Sequence, residues 1–165
     1  MNQKTRILIA IGIIVVLTAA VIGIERIRGQ RIAAEIDASL EPGDIPVFWN
    51  GSLRAAFSPL DIETLPPASF VDAEEGKTQE GWLLKDVLLT YFKEGQFSED
   101  TKITVISTSR EKSIELTWGE VANADNMVMF DLSGRGTLKL VSLLEKLDVR
   151  DEFVQDVDRI EINTR

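Results

Sequence analysis

The hydrophobic pattern opens with an uncharged run, Ile7 to Ile24, dominated by Ile, Val, Leu and Ala and bracketed by Lys4, Arg6, Glu25 and Arg26. About 18 such residues is the lower working length of a bilayer-spanning helix, so the run predicts one N-terminal transmembrane helix serving as an uncleaved signal anchor. A cleaved signal peptide is the first alternative, although its hydrophobic part is only about 7 to 15 residues long. Thr18 and Ala20 would supply its small-residue cleavage site, yet Val21, Ile22 and Ile24 continue beyond them. A buried globular helix is the second alternative and would need a large partner surface, because the run is apolar all round. Basic residues flank both ends, with Lys4 and Arg6 before and Arg26, Arg28 and Arg31 after, so the positive-inside count is nearly balanced. The short charged start favours residues 1–6 in the cytoplasm, 7–24 as the anchor, and an extracytoplasmic domain. Residues 25–44 then form a juxtamembrane helix and linker, stopped by the turn sequence Glu41-Pro42-Gly43-Asp44.

From residue 45 to 165 the pattern shortens into strand-like alternation. Ile45 to Trp49 reads as a strand, Asn50-Gly51 as a hairpin turn, and Leu53, Ala55 and Phe57 as the buried positions of a return strand. Ser58-Pro59-Leu60-Asp61 has the composition of a helix start, with Ser as cap and Pro at the first turn. A strand over 68–73 and a turn at Glu74-Glu75-Gly76-Lys77 precede "GWLLKDVLL", residues 81–89, where Leu84, Val87 and Leu88 share one helical face. This helix is apolar on more than one side, which predicts a central core position. Residues 102–108 read as a β-branched strand, followed by a turn and a short return strand. Thr117 with Glu120 forms a capping box over a short helix. Residues 127–132, "TLKLVSL" and Arg159 to Ile162 complete the strands, with a turn of helix or extended chain before the last. The expected fold class is therefore α+β, a mixed β-sheet domain behind one transmembrane helix.

Composition narrows the chemistry. The chain has 165 residues and a net charge of −9, with neither Cys nor His. Setting aside Lys4, Arg6, Arg26, Arg28, Arg31 and Glu25 leaves 13 basic against 26 acidic residues from Ala33 onward. Such a field opposes phosphate neutralisation, so nucleic acid is excluded as a partner. Disulfides, thiolate nucleophiles, His-based acid/base catalysis and Cys/His zinc sites are excluded as well. No GxGxxG or GxxxxGK[ST] occurs, which disfavours a nucleotide-binding α/β fold.

The order of elements over 45–164 resembles the molybdopterin-binding domain of the sulfite-oxidase-like oxidoreductases. The stretches that carry the resemblance are "FSPLDIETLP", "GWLLKDVLL" against a GxxLxDLL helix, "ITVISTSREKSIELTWGEV", "MVMFDLSGRGTLKLV" and "FVQDVDRIEI". It implies the family scaffold. In that family a cysteine thiolate between the early strand and the GxxL helix binds molybdenum, and histidine and arginine hold the pterin phosphate. The corresponding stretch here, "FVDAEEGKTQEGW", has no cysteine and presents Asp72, Glu74 and Glu75. The resemblance thus implies a scaffold without the family's activity, and neither molybdopterin nor any other cofactor is expected.

The remaining candidate sites are few. Arg110, Lys112 and Arg135 fall in predicted turns and would make a small cationic spot for an anionic ligand, with Gly134 and Gly136 exposing backbone amides beside Arg135. The alternative is a solvated hairpin arginine. Asp72, Glu74 and Glu75, or Asp151, Glu152, Asp156 and Asp158, have the ligand type for calcium without the spacing of a known loop; solvated acidic turns are the ordinary reading, because charge runs are usually exposed. Paired carboxylates for glycosidase chemistry have no cleft to place them. Trp49, Trp82 and Trp118 read as core or pocket rim. These features lead to a membrane-anchored, non-catalytic binding or accessory module with a protein partner. The alternatives are an accessory subunit or diverged member of a membrane-associated redox system, and an acidic docking domain for a basic partner.

Overall fold

Asn50 and Gly51 adopt positive φ, 48° and 76°, the geometry of a tight hairpin turn. They join β1 (Ile45–Trp49) to β2 (Ser52–Phe57), as their sequence predicts. The molecule is described here by a computed structural model covering residues 11–24, 30, 34, 37, 40–72, 74, 76–132 and 136–164. The further strands are β3 (Ala68–Val71), β4 (Thr78–Leu83), β5 (Lys102–Ser107), β6 (Lys112–Thr117), β7 (Met129–Leu132), β8 (Leu138–Val141) and β9 (Arg159–Asn163).

These strands form two sheets, where the sequence suggested one. The first is mixed and five-stranded in the order β2-β1-β9-β5-β6, with only the β1–β9 pair parallel. The second is antiparallel and four-stranded, β3-β4-β7-β8. Two long-range pairings separate them. The C-terminal β9 inserts between β1 and β5, while β4 closes on β7 through Gly81↔Asp131 and Trp82↔Phe130. Gly81 makes that second pairing possible, since a Cβ there would stand 1.7 Å from the Phe130 carbonyl oxygen.

The stretch "GWLLKDVLL" accordingly divides. Gly81 to Leu83 finish β4, and the helix begins only at Leu84. With α1 denoting the helical run 11–24, this helix is α2 (Leu84–Tyr91). Leu84, Val87 and Leu88 are fully buried in one core with Ile45, Val47, Ile103, Val105 and Ile160 of the first sheet and Phe130, Leu138 and Leu140 of the second. The helix therefore sets how the two sheets meet. Aromatic rings extend this core from Phe92 to Trp49 at 5.0 Å and from Phe97 to Trp118 at 4.0 Å between centroids.

The predicted capping box is present on α3 (Trp118–Ala122). The Thr117 hydroxyl accepts from Glu120 N at 3.2 Å, and Glu120 Oε2 accepts from Thr117 N at 2.7 Å. Burial alone would raise the Glu120 carboxyl, but the Lys146 ammonium and the Thr117 donors outweigh it and hold the group below its ordinary value. Before β9 the chain forms a turn over 150–152 and bends without a helix, and Val154 bridges Leu140 at the outer edge of β8. Phe153 then covers Met129 and Val141 on the outer face of the second sheet.

The expected anchor is corrected. Among the described residues no helix is long and apolar enough to cross a membrane. Residues 7–10 of the expected span lie outside the described residues, as do residues 1–6 and most of 25–39. The transmembrane part of the fold class, attachment to a membrane through residues 7–24, the signal-anchor reading and a single-pass membrane location with an extracytoplasmic domain are all withdrawn on this finding.

Candidate functional site: two depressions of opposite charge

Where β2 ends, Pro59 and Leu60 cannot continue the ladder and the chain turns. Asp61 Oδ2 closes this turn by accepting from Ser58 N at 2.7 Å and Ser58 Oγ at 2.9 Å. The acid's half of the expected cap is present, with Asp61 accepting from the Ser58 backbone, but the Ser58 hydroxyl donates to Asp61 and caps no backbone N–H, and only a 3-10 turn (Asp61–Thr64) follows. Before β1, Asp44 Oδ2 accepts from Glu41 N at 2.8 Å in the same manner. At the start of β9, Asp158 accepts from Thr108 N at 2.8 Å and Thr108 Oγ1 at 3.1 Å. Every one of these partners is a neutral backbone or hydroxyl donor, and the bonds fix the positions of the carboxylates.

Together they surround a cleft of about 790 Å³ between the ends of the two sheets. Glu41, Asp44, Asp61, Glu63, Asp156 and Asp158 line it, and Ile45, Leu138 and Val157 supply apolar surface. No lysine or arginine among the described residues lines it. Leu60 stands at the rim, 72% exposed. Tyr91 senses the same field. Burial first, then the charges of Asp61 and Asp44, push its phenol above the ordinary value of 10.0.

A second, smaller depression of about 240 Å³ lies beyond Asp156, lined by Arg110, Lys112, Arg150, Asp151, Phe153 and Gln155. Glu111, with φ 50°, turns the chain between β5 and β6 and brings Arg110 and Lys112 to the same hairpin end. Arg110 Nε donates to Asp156 Oδ2 at 2.7 Å, and Asp156 Oδ1 accepts from Thr137 Oγ1 at 2.7 Å. Lys112 Nζ donates to the Asp151 carbonyl. Arg150 N donates to Glu74 Oε2 at 3.0 Å, which ties the 148–155 loop to the β3–β4 turn. Asp156 thus belongs to the wall of the acidic cleft and holds the nearest cation of the other depression.

No protein-family model matches the chain, and no curated protein matches it.

Of the three cationic candidates, Arg110 and Lys112 share one depression and Arg135 lies outside the described residues. Arg150 joins them from 38 residues beyond Lys112, a juxtaposition without any local signal. The calcium grouping of Asp151, Glu152, Asp156 and Asp158 is divided. Asp156 and Asp158 face the acidic cleft while Asp151 lines the other depression, and Glu75 is outside the described residues. Among the described residues no group of three or more acidic side chains is placed to hold a metal ion. Trp118 is buried, Trp49 and Trp82 pack against the core, and none of them lines either depression.

The β3–β4 hairpin is where the family resemblance would require a molybdenum-binding thiolate. Its buried polar group is instead Asp72, 2% exposed, accepting from Glu74 N at 2.7 Å and from Gln79 Nε2 at 3.4 Å. Lys139 continues this network from Gln79 Oε1 at 2.9 Å to Asp131 at 2.9 Å. Carboxylate, amide and ammonium are hard groups already engaged with one another. They do not fit a soft-metal site.

Proposed function

We propose that this chain is a non-catalytic binding module, built on a scaffold of the molybdopterin-binding type, whose acidic cleft docks a basic and partly apolar segment of a partner protein. The observation that carries this reading is the cleft itself, in which six carboxylates surround apolar side chains in a volume of about 790 Å³. That volume is within the range of roughly 300–1,000 Å³ typical of ligand pockets. Only Asp156 is ion-paired with a described lysine or arginine. The other charges present an uncompensated field, which attracts cations at long range and rejects acidic partners. Apolar contact with Leu60, Ile45 and Val157 would hold a leucine or valine side chain between the charges.

The test uses the full chain and a synthetic peptide of alternating lysine and leucine. The variant Asp44→Asn/Asp61→Asn/Glu63→Gln keeps the acceptor oxygens that close both turns while removing three charges. At about 0.5 kcal/mol for each exposed charge pair, the variant should bind roughly tenfold more weakly by fluorescence anisotropy. Equal affinity for variant and parent would refute docking at this cleft.

A further inference from the structure

We propose that β3 is an interaction edge for a second copy of this chain, pairing antiparallel with its own counterpart about a twofold axis at Phe70. It does not depend on the acidic cleft. The outer strands of the two sheets are β2, β6, β3 and β8. Outer strands recruit further strands unless charge or a covering segment blocks them. Arg54 lies on β2, Lys112 and Glu115 lie on β6, and Val154 bridges to Leu140 along β8. On β3, Ala68–Val71, there is neither charge nor proline, and Val71 is 61% exposed.

The register within the sheet identifies the free groups. Asp72 N donates to the Lys77 carbonyl at 2.8 Å, and Phe70 stands opposite Gln79. Antiparallel ladders alternate, so Ala68, Phe70 and Asp72 direct their backbone groups at β4 while Ser69 and Val71 direct theirs outward. Among the described residues these outward N–H and C=O groups have no partner. The set is self-complementary under twofold symmetry. Ser69 of each copy opposite Val71 of the other closes four backbone hydrogen bonds without calling on Pro67, which has no N–H. This register sets the two Phe70 rings against each other across the axis, on the face where Phe70 already packs with Met129, Val141 and Phe153. It also sets Asp72 opposite Ala68, so the acidic turns that follow β3 lie at opposite ends of the new pair. Parallel pairing would bring those turns together, at a cost for copies that each carry a net charge of −9.

The experiment is amide-resolved hydrogen exchange of the full chain between roughly 0.02 and 1 mM, a range suited to an interface smaller than the roughly 800 Å² per partner of stable complexes. Exchange at Ser69 and Val71 should slow with concentration, about twofold when half the chains are paired, while the Phe70 amide, already bonded within the sheet, should not change. Added sodium chloride should lower the concentration at half pairing, because it screens the repulsion between two acidic copies. Val71→Glu, a change at an exposed side chain, should raise that concentration several-fold, since like charges on neighbouring strands repel. Exchange at Ser69 and Val71 independent of concentration, or slowing that is the same in Val71→Glu, would overturn the proposal. So would protection that appears only when the lysine–leucine peptide is added, which would give the edge to a foreign strand.

Discussion

The acidic cleft and the cationic depression meet at one ion pair, Asp156 with Arg110, yet they are built in opposite ways. The cleft takes its carboxylates from short local turns, where Asp44 and Asp61 each cap the backbone N–H of the residue three positions earlier. The depression takes its cations from a hairpin end and a loop that meet only in the folded chain. Local turn chemistry leaves a negative field behind as a by-product of backbone capping. Positive charge in an acidic protein has to be assembled by tertiary structure. The first kind of surface should survive small distortions of the fold, and the second should not.

Gly81→Ala tests that dependence most severely. The added methyl would overlap the Phe130 carbonyl, forcing β4 away from β7 and displacing the second sheet, whose Leu132 and Leu138 contribute to the cleft. Overpacking of this kind costs about 3 kcal/mol or more. A large fall in the thermal midpoint is expected, together with loss of dimerisation through β3, whose Ala68 pairs with Gly81, before loss of peptide binding.

Asp156→Asn should separate the two regions. Asparagine tolerates the left-handed backbone at this position, where φ is 56°, and can still accept from Thr137. Its neutral side chain removes the ion pair with Arg110 and one charge from the cleft. The lysine–leucine peptide should then bind a few-fold more weakly and the thermal midpoint should fall slightly, consistent with about 0.2–1 kcal/mol for a partly exposed pair. A lower midpoint with unchanged peptide affinity would show that Asp156 does not serve the cleft.

The smallest effect lies away from both depressions, at Glu120. Its folded-state pKa is lowered, so its ionised form stabilises the fold, fully above the ordinary value of 4.5 and progressively less as pH falls through the lowered value. Glu120→Gln should therefore reduce the thermal midpoint at pH 7, with the difference from the parent shrinking as pH falls below 4.5. Peptide binding should not respond. A difference that persists unchanged in acid would contradict the assignment.

The parts legible in the sequence are those governed by local rules. Asn50-Gly51 specifies its hairpin, Thr117 and Glu120 their capping box, and the apolar face of Leu84, Val87 and Leu88 its place in the core. Long-range strand partners were not legible, because β9 pairs with β1 and β5 across more than 50 residues and alternation does not encode a neighbour. Gly81 looked like a helix start, although its role is to let one strand approach another. The apolar run at the N-terminus was read by length alone, and the described helix falls short of a membrane span. For the sites, the hairpin end at Arg110 and Lys112 could be anticipated from its turn, but Arg150 could not. The acidic cleft was missed because Asp44 and Asp61 each have the sequence signature of an ordinary turn.

The most direct measurement is the salt dependence of lysine–leucine peptide binding to the full chain between roughly 0.05 and 0.5 M sodium chloride, over which the Debye length falls about threefold, from about 14 to about 4 Å. Docking in the acidic cleft predicts affinity that falls steadily as salt rises, with a shallower slope in the Asp44→Asn/Asp61→Asn/Glu63→Gln variant. Affinity that is independent of salt, or a slope identical in parent and variant, would contradict it.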